Sequence, residues 1–221
     1  MAANQSKDTA YDRNVFINCP FDPDYKPLFD AMIFAISACG LIPRSALESR
    51  NAGVTRFEKI VDLVRQCRWG IHDISRVELT HLGLPRFNMP LELGLFLGAS
   101  RLGSRAYRDK SCLVLDSKAE RYRQMVSDLA GQDIQAHDGN TLGIVTAVRN
   151  FLSDSRQDTQ TVAVGGAEMT RAFIRFQVDL VQLYAERKIE QHELTFRDYA
   201  DCAREWCARN QRAVLKTPAT E

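Results

Sequence analysis

Five short apolar runs alternate along this chain with longer stretches whose apolar positions recur at a helical period. Residues 14–18 (NVFIN) read as a strand that ends in a Cys-Pro-Phe-Asp turn. Residues 25–39 carry helical periodicity and close at Gly40, which suits the left-handed position after a helix. Residues 41–48 read as extended, with Pro43 marking an edge or a strand end. Residues 55–68 form an amphipathic helix with Phe57, Ile60, Val61 and Val64 on one side. Residues 69–74 (WGIHDI) are a third strand that closes on an acid, and a polar connection over 75–86 leads into a further helix. A strand at 110–116 (KSCLVLD), a helix over 119–129, a short strand at 134–137 and a helix over 141–153 complete the alternation.

Strands alternating with helices predict a parallel sheet covered on both faces. Five of them predict a flavodoxin-like, doubly wound α/β domain over residues 14–153, with a C-terminal α-helical extension. Residues 1–13 are polar and read as a disordered N-terminus. Residues 154–166 turn polar and then glycine-rich, as a linker does. A helical hairpin over 167–210 follows, and 211–221 read as a frayed tail. The hairpin carries two apolar stripes, Phe173-Phe176-Leu180-Leu183 and Phe196-Tyr199-Ala203-Trp206. Two helices of this size bury little alone, so they must dock on the main domain or on another copy; the stripes predict a homo-oligomer.

Composition narrows the partners. The chain is 45% hydrophobic and 26% charged, with a net charge of +1, which is ordinary for a globular protein. That balance makes no electrostatic case for a nucleic-acid groove or an anionic membrane. No apolar run reaches bilayer length and no signal-peptide core is present, so a cytoplasmic location is expected. Cys19, Cys39, Cys67, Cys112, Cys202 and Cys207 form no CxxC pair, which favours reduced, buried thiols over disulfides or a metal site. His72, His81, His137 and His192 show no metal spacing, and no cofactor is implied.

The candidate chemistry lies at residues 87–100 (FNMPLELGLFLGAS), where Glu92 is the single charge. A lone carboxylate in an apolar run is either badly placed or there for chemistry. Asn88 can cap a helix and Pro90 suits its first turn, so Glu92 falls at a helix N-terminus with no basic neighbour in sequence. Ligands in doubly wound sheets bind at the carboxyl ends of the strands. Asp73, closing the third strand, is thereby expected on the same rim as Glu92, unless it only caps the turn at Ser75. Two such carboxyls would lie within about 10 Å of each other. Asn18, Pro20, Phe21 and Asp22 end the first strand as one wall of a nucleobase pocket or as a plain turn. Arg44, Arg56 and Arg86 are phosphate receivers or surface arginines. Ser75, Asn88 and Met89 complete the predicted substrate contacts. Gly94 and Gly98, four apart, suit close packing or ligand approach, and His72 points opposite to Asp73 on its strand, as a core or rim histidine.

These residues resemble a family. A strand closing on Cys19-Pro20-Phe21, an Asp at the third strand end (Ile71-His72-Asp73) and Leu91-Glu92-Leu93-Gly94 at a helix start are similar to nucleoside 2-deoxyribosyltransferases, whose fold is shared with TIR domains. The resemblance covers roughly residues 14–137. It implies that Glu92 acts as nucleophile or stabiliser at the anomeric carbon of a nucleoside, a nucleotide or NAD, with Asp73 holding sugar or base. The segment before the glutamate departs from the family's acid-rich, glycine-rich form: over 76–88 its only acid is Glu78. The tyrosine usual in the first strand is replaced by Phe16 or Phe21. Hydrolysis of an N-glycosidic bond is therefore expected before base exchange. The rival is a non-catalytic TIR-like module that binds a nucleotide or assembles. A receiver-like phosphoacceptor is disfavoured, because the first strand ends without an acidic pair and no Lys follows 134–137.

Overall fold

A computed structural model describes residues 10–76, 86–124, 126–129, 131–155 and 163–216. Most of the polar connection, the middle of the linker, the first nine residues and the last five lie outside these segments. The described chain is an α/β fold of flavodoxin-like type built on one five-stranded sheet. Its strands are β1 (Asn14–Asn18), β2 (Ile42–Arg44), β3 (Trp69–Asp73), β4 (Ser111–Asp116) and β5 (Ile134–Ala136), in the order β2-β1-β3-β4-β5 and all parallel. β1 and β3 are central and buried at every position, which is why both read as apolar without alternation.

The helices are α1 (Ala10–Arg13), α2 (Lys26–Ala38), α3 (Arg56–Gln66), α4 (Asn88–Leu102), α5 (Thr141–Asp154), α6 (Gly166–Arg187), α7 (Phe196–Arg209) and α8 (Gln211–Val214). α3 and α4 cover one face of the sheet; α2 and α5 cover the other. α2 is apolar nearly all round, with Met32, Ile33, Phe34, Ala35 and Ile36 all buried. A helix of that kind has cover on both sides. The sheet lies on one side, and α6 and α7 form a further layer on the other. Phe34 meets Phe173, Phe176 and Trp206 at ring separations of 5.5, 5.2 and 5.7 Å, and Phe29 stacks on Phe196 at 5.8 Å.

Several expectations are corrected here. The two C-terminal stripes are buried against α2 within the same chain, which removes the premise for a homo-oligomer through them. Residues 10–13 and 211–214 are helical rather than disordered, and Leu215 pairs with Ala163 across an antiparallel bridge. No α-helix joins β4 to β5 among the described residues; 3-10 turns at Arg121–Gln124 and Ser127–Leu129 stand there instead. Glu120 has a φ of 65°, a left-handed conformation that a helix cannot pass through, and Asp116 draws in Arg121 at 2.5 Å. On α3 the buried row is Ile60, Leu63 and Val64, with Phe57 turned to solvent at 52% exposure. A Cβ on Gly94 or Gly98 would meet nothing within 4 Å, so neither serves a close approach. No helix among the described residues is long and apolar enough to cross a membrane.

Candidate active site

β1 delivers its last residue, Asn18, to the carboxyl edge of the sheet. The Asn18 amide donates to the Met89 carbonyl at 2.9 Å and lies 3.0 Å from His72 Nδ1. One side chain thus ties β1 to β3 and to the first turn of α4. His72 is buried, ringed by Phe16 and Phe96, and held neutral: burial pushes its pKa down to about 3, with Lys110 adding to the effect. It is a core histidine. α4 begins with Asn88 as its first helical residue; Phe87 holds the N-cap position without a side-chain hydrogen bond, so the expected Asn88 cap does not form.

Around this junction lies a cavity of about 300 Å³. Asn88, Met89 and Glu92 of α4 line one side, Pro20 and Phe21 the other, with Asn18 and Cys19 between them. Glu92 is only 5% exposed, and burial raises its carboxyl pKa to about 7 against the opposing pull of Arg56. Arg56 comes from the first turn of α3, with its Nη2 at 3.9 Å from Glu92 Oε1 and its guanidinium 5.6 Å over the Phe21 ring. Glu92 therefore does have a basic partner, but one supplied by another element. Arg56 and Arg86 both line the cavity. The signal for Arg56 was its place just after the Thr55 cap, since α3 and α4 share a face and start at the same edge. Cys19, between the carboxylates of Asp73, Glu92 and Asp22, is kept a thiol by burial first and by those charges next.

The other expected residues divide. Asp22 does not line this cavity; its two oxygens take Arg76 at 3.5 Å and Arg86 at 3.4 Å. Asp73 does not line it either. It is fully buried, accepting from the Tyr25 hydroxyl through Oδ2 and from the Ser75 N–H at 2.7 Å through Oδ1, with His137 Nε2 3.0 Å from Oδ2. Asp73 is thus a buried junction between β3, the start of α2 and the end of β5. Ser75 lines a second cavity on that side. Arg44 takes no part in either: on the edge strand β2 it is occupied by Glu48 at 2.7 Å and Gln66 at 3.2 Å. Among the described residues the six cysteines are free thiols, and no cluster of His, Cys, Asp and Glu is arranged to hold a metal.

The chain matches no family profile, no curated protein and no solved structure.

Proposed function

We propose that this protein cleaves the N-glycosidic bond of a nucleoside or nucleotide, NAD included. The reading is carried by Glu92: a nearly buried carboxylate in an apolar wall, opening on a cavity at the carboxyl edge of the sheet, with one cation at 3.9 Å. Rupture of the bond between C1′ and the base nitrogen sends the electron pair to the base and leaves positive charge on the ribose ring. The ionised Glu92 stabilises that charge or captures C1′ covalently. Water then adds to C1′, displacing Glu92 where it has bonded there; the proton that water loses goes to the base nitrogen of a nucleoside or nucleotide, and to solvent when the leaving group is nicotinamide, which departs neutral. Arg56 orients Glu92 and favours its ionised form against the effect of burial, and the Phe21 ring offers the base an apolar face. Asp73 enters this scheme only by holding the strand ends together.

The test is a panel of nucleosides, their phosphates and NAD, with free base followed by chromatography. Wild type should release base from at least one of them. Glu92→Gln keeps the shape and hydrogen bonding but not the charge, and should be slower by roughly a hundred- to a thousandfold. Equal rates would remove Glu92 from the chemistry. A wild type inert on the whole panel would favour a binding module.

A further inference from the structure

A third cavity, of about 400 Å³, adjoins the Glu92 cavity and shares Arg56 with it. Arg50, Arg56 and Lys59 line it from the first turn of α3 and the loop before it, and Thr195 and Phe196 close it from the start of α7. We infer that this cavity binds the phosphate of the substrate, with the C-terminal layer as one of its walls, so that the molecule cleaved at Glu92 is a nucleotide and not a free nucleoside; this rests on the glycosidase reading above.

Charge carries the inference first. Three cations line the cavity, and among the described residues no carboxylate does. The acids of the neighbouring elements are committed to their own helix starts. Glu48 accepts from Arg44 at 2.7 Å and from the Ser45 N–H at 3.0 Å. Glu58 accepts from the Thr55 N–H at 2.8 Å, and Asp198 from the Thr195 N–H at 2.9 Å. The cations have no such claim on them. Arg50 makes no ion pair among the described residues, and its pull is the least of the influences on the Asp198 carboxyl, which the Thr195 bonds dominate. Lys59 donates to the Ser49 carbonyl at 3.2 Å, a neutral partner. Arg56 stands 3.9 Å from Glu92, an ion pair without a hydrogen bond, so its N–H donors are unspent. Cations gathered in a concavity focus a potential that attracts an anion, and guanidinium forks match phosphate oxygens.

Continuity with the reacting carboxylate carries it further. Arg56 lies over the Phe21 ring, which lines the Glu92 cavity. Phe21 meets Phe29 edge-on at 5.4 Å, and Phe29 stacks on Phe196, which lines the third cavity. One row of packed rings thus holds the two cavities in register, with Arg56 common to both. Arg56 and Lys59 stand one turn apart on α3, where side chains neighbour each other. A base against Phe21 with its ribose at Glu92 sets the phosphate past Arg56, between Lys59 and Arg50.

The experiment uses the full chain, with inorganic pyrophosphate as a binding probe in calorimetry. One double variant joins Arg50→Gln to Lys59→Gln; both side chains reach solvent, so the fold should persist. A control joins Arg65→Gln to Arg101→Gln, two exposed arginines of α3 and α4 that line neither cavity, and removes the same charge elsewhere. Pyrophosphate should bind wild type and the control alike, and bind the Arg50/Lys59 variant about tenfold or more weakly. Whichever nucleoside releases base, its 5′-monophosphate or 5′-diphosphate should be cleaved with at least about tenfold higher kcat/KM, and the Arg50/Lys59 variant should bring that ratio close to one. Absent pyrophosphate binding, or binding that the control weakens as much as the Arg50/Lys59 variant, overturns the subsite whether or not base is released. Base released equally well from the nucleoside and from both of its phosphates overturns the subsite's part in the reaction. Binding that only the Arg50/Lys59 variant weakens, with no base released from any nucleoside or nucleotide, overturns the glycosidase reading and leaves the anion subsite standing.

Discussion

A single carboxylate sets the pH behaviour expected of this protein. Glu92 holds its proton up to about 7 in the folded chain, above its ordinary 4.5, because burial disfavours the charge more than Arg56 favours it. The reaction needs the ionised form, so base release should rise with pH through about 7 and level off above it; a flat profile would exclude Glu92 as the charge that matters. The same shift has a stability consequence of opposite sense. The folded state binds this proton more tightly than the unfolded chain does. Stability is therefore fullest below about 4.5 and falls as pH rises toward 7. Glu92→Gln should raise the urea midpoint at pH 8 and lose that advantage near pH 4, while losing activity throughout. Tyr25 gives the contrasting case. Its hydroxyl ends on Asp73 in a dry junction, so Tyr25→Phe leaves a buried acceptor short of one donor. A loss of about 1–3 kcal/mol is expected in urea unfolding. An unchanged urea midpoint would show that the Tyr25 hydroxyl adds nothing to the junction.

At the scale of elements, two helical glycines separate packing from propensity. Gly94 in α4 has open space where a Cβ would go, so Gly94→Ala should stabilise by about 0.5–1 kcal/mol through helix propensity alone. Gly143 in α5 has the His137 backbone 2.5 Å from that position. Gly143→Ala must push the helix start off the β5 turn, lowering the thermal midpoint and disturbing the second cavity but not the first. A stabilised Gly143→Ala would mean that α5 tolerates that shift. The helix starts also decide where the chemistry sits: α3 and α4 present Arg56 and Glu92 to one cavity, α5 presents its amide end to the other.

For the whole molecule, the C-terminal helices belong to the main core. Trp206 is buried against Phe34 and Phe176, and its indole N–H donates to Asp179 at 2.7 Å. Trp206→Ala should cost about 3–5 kcal/mol. A chain ending at Asp154 would leave α2 bare on one side; the full chain should unfold in a single cooperative transition followed by circular dichroism, and the shortened chain should lose it. A well-folded, monomeric truncation would show instead that the sheet domain is independent.

The alternation of 14–18, 69–74 and 110–116 with amphipathic segments was enough to specify the parallel sheet, because central strands have no polar face to confuse the pattern. The lone charge of Glu92 in an apolar run, and the Pro20-Phe21 turn facing it, were legible for the same local reason: burial cost is a property of the residue and its neighbours. What depended on distance along the chain was not legible. Arg56 reaches Glu92 only because α3 and α4 lie on one face, and Arg44 is spent on Glu48 and Gln66 because β2 is an edge. Asp73 looked like the twin of Glu92, since both end at the same rim. Side chains at successive strand positions point to opposite faces, so the sheet itself sends His72 toward α4 and Asp73 toward Tyr25 and His137. The stripes of α6 and α7 announced that they must be covered, but a stripe carries no address. Only the tertiary structure decided that α2 and α5 of the same chain cover them, because both helices keep an apolar side turned away from the sheet.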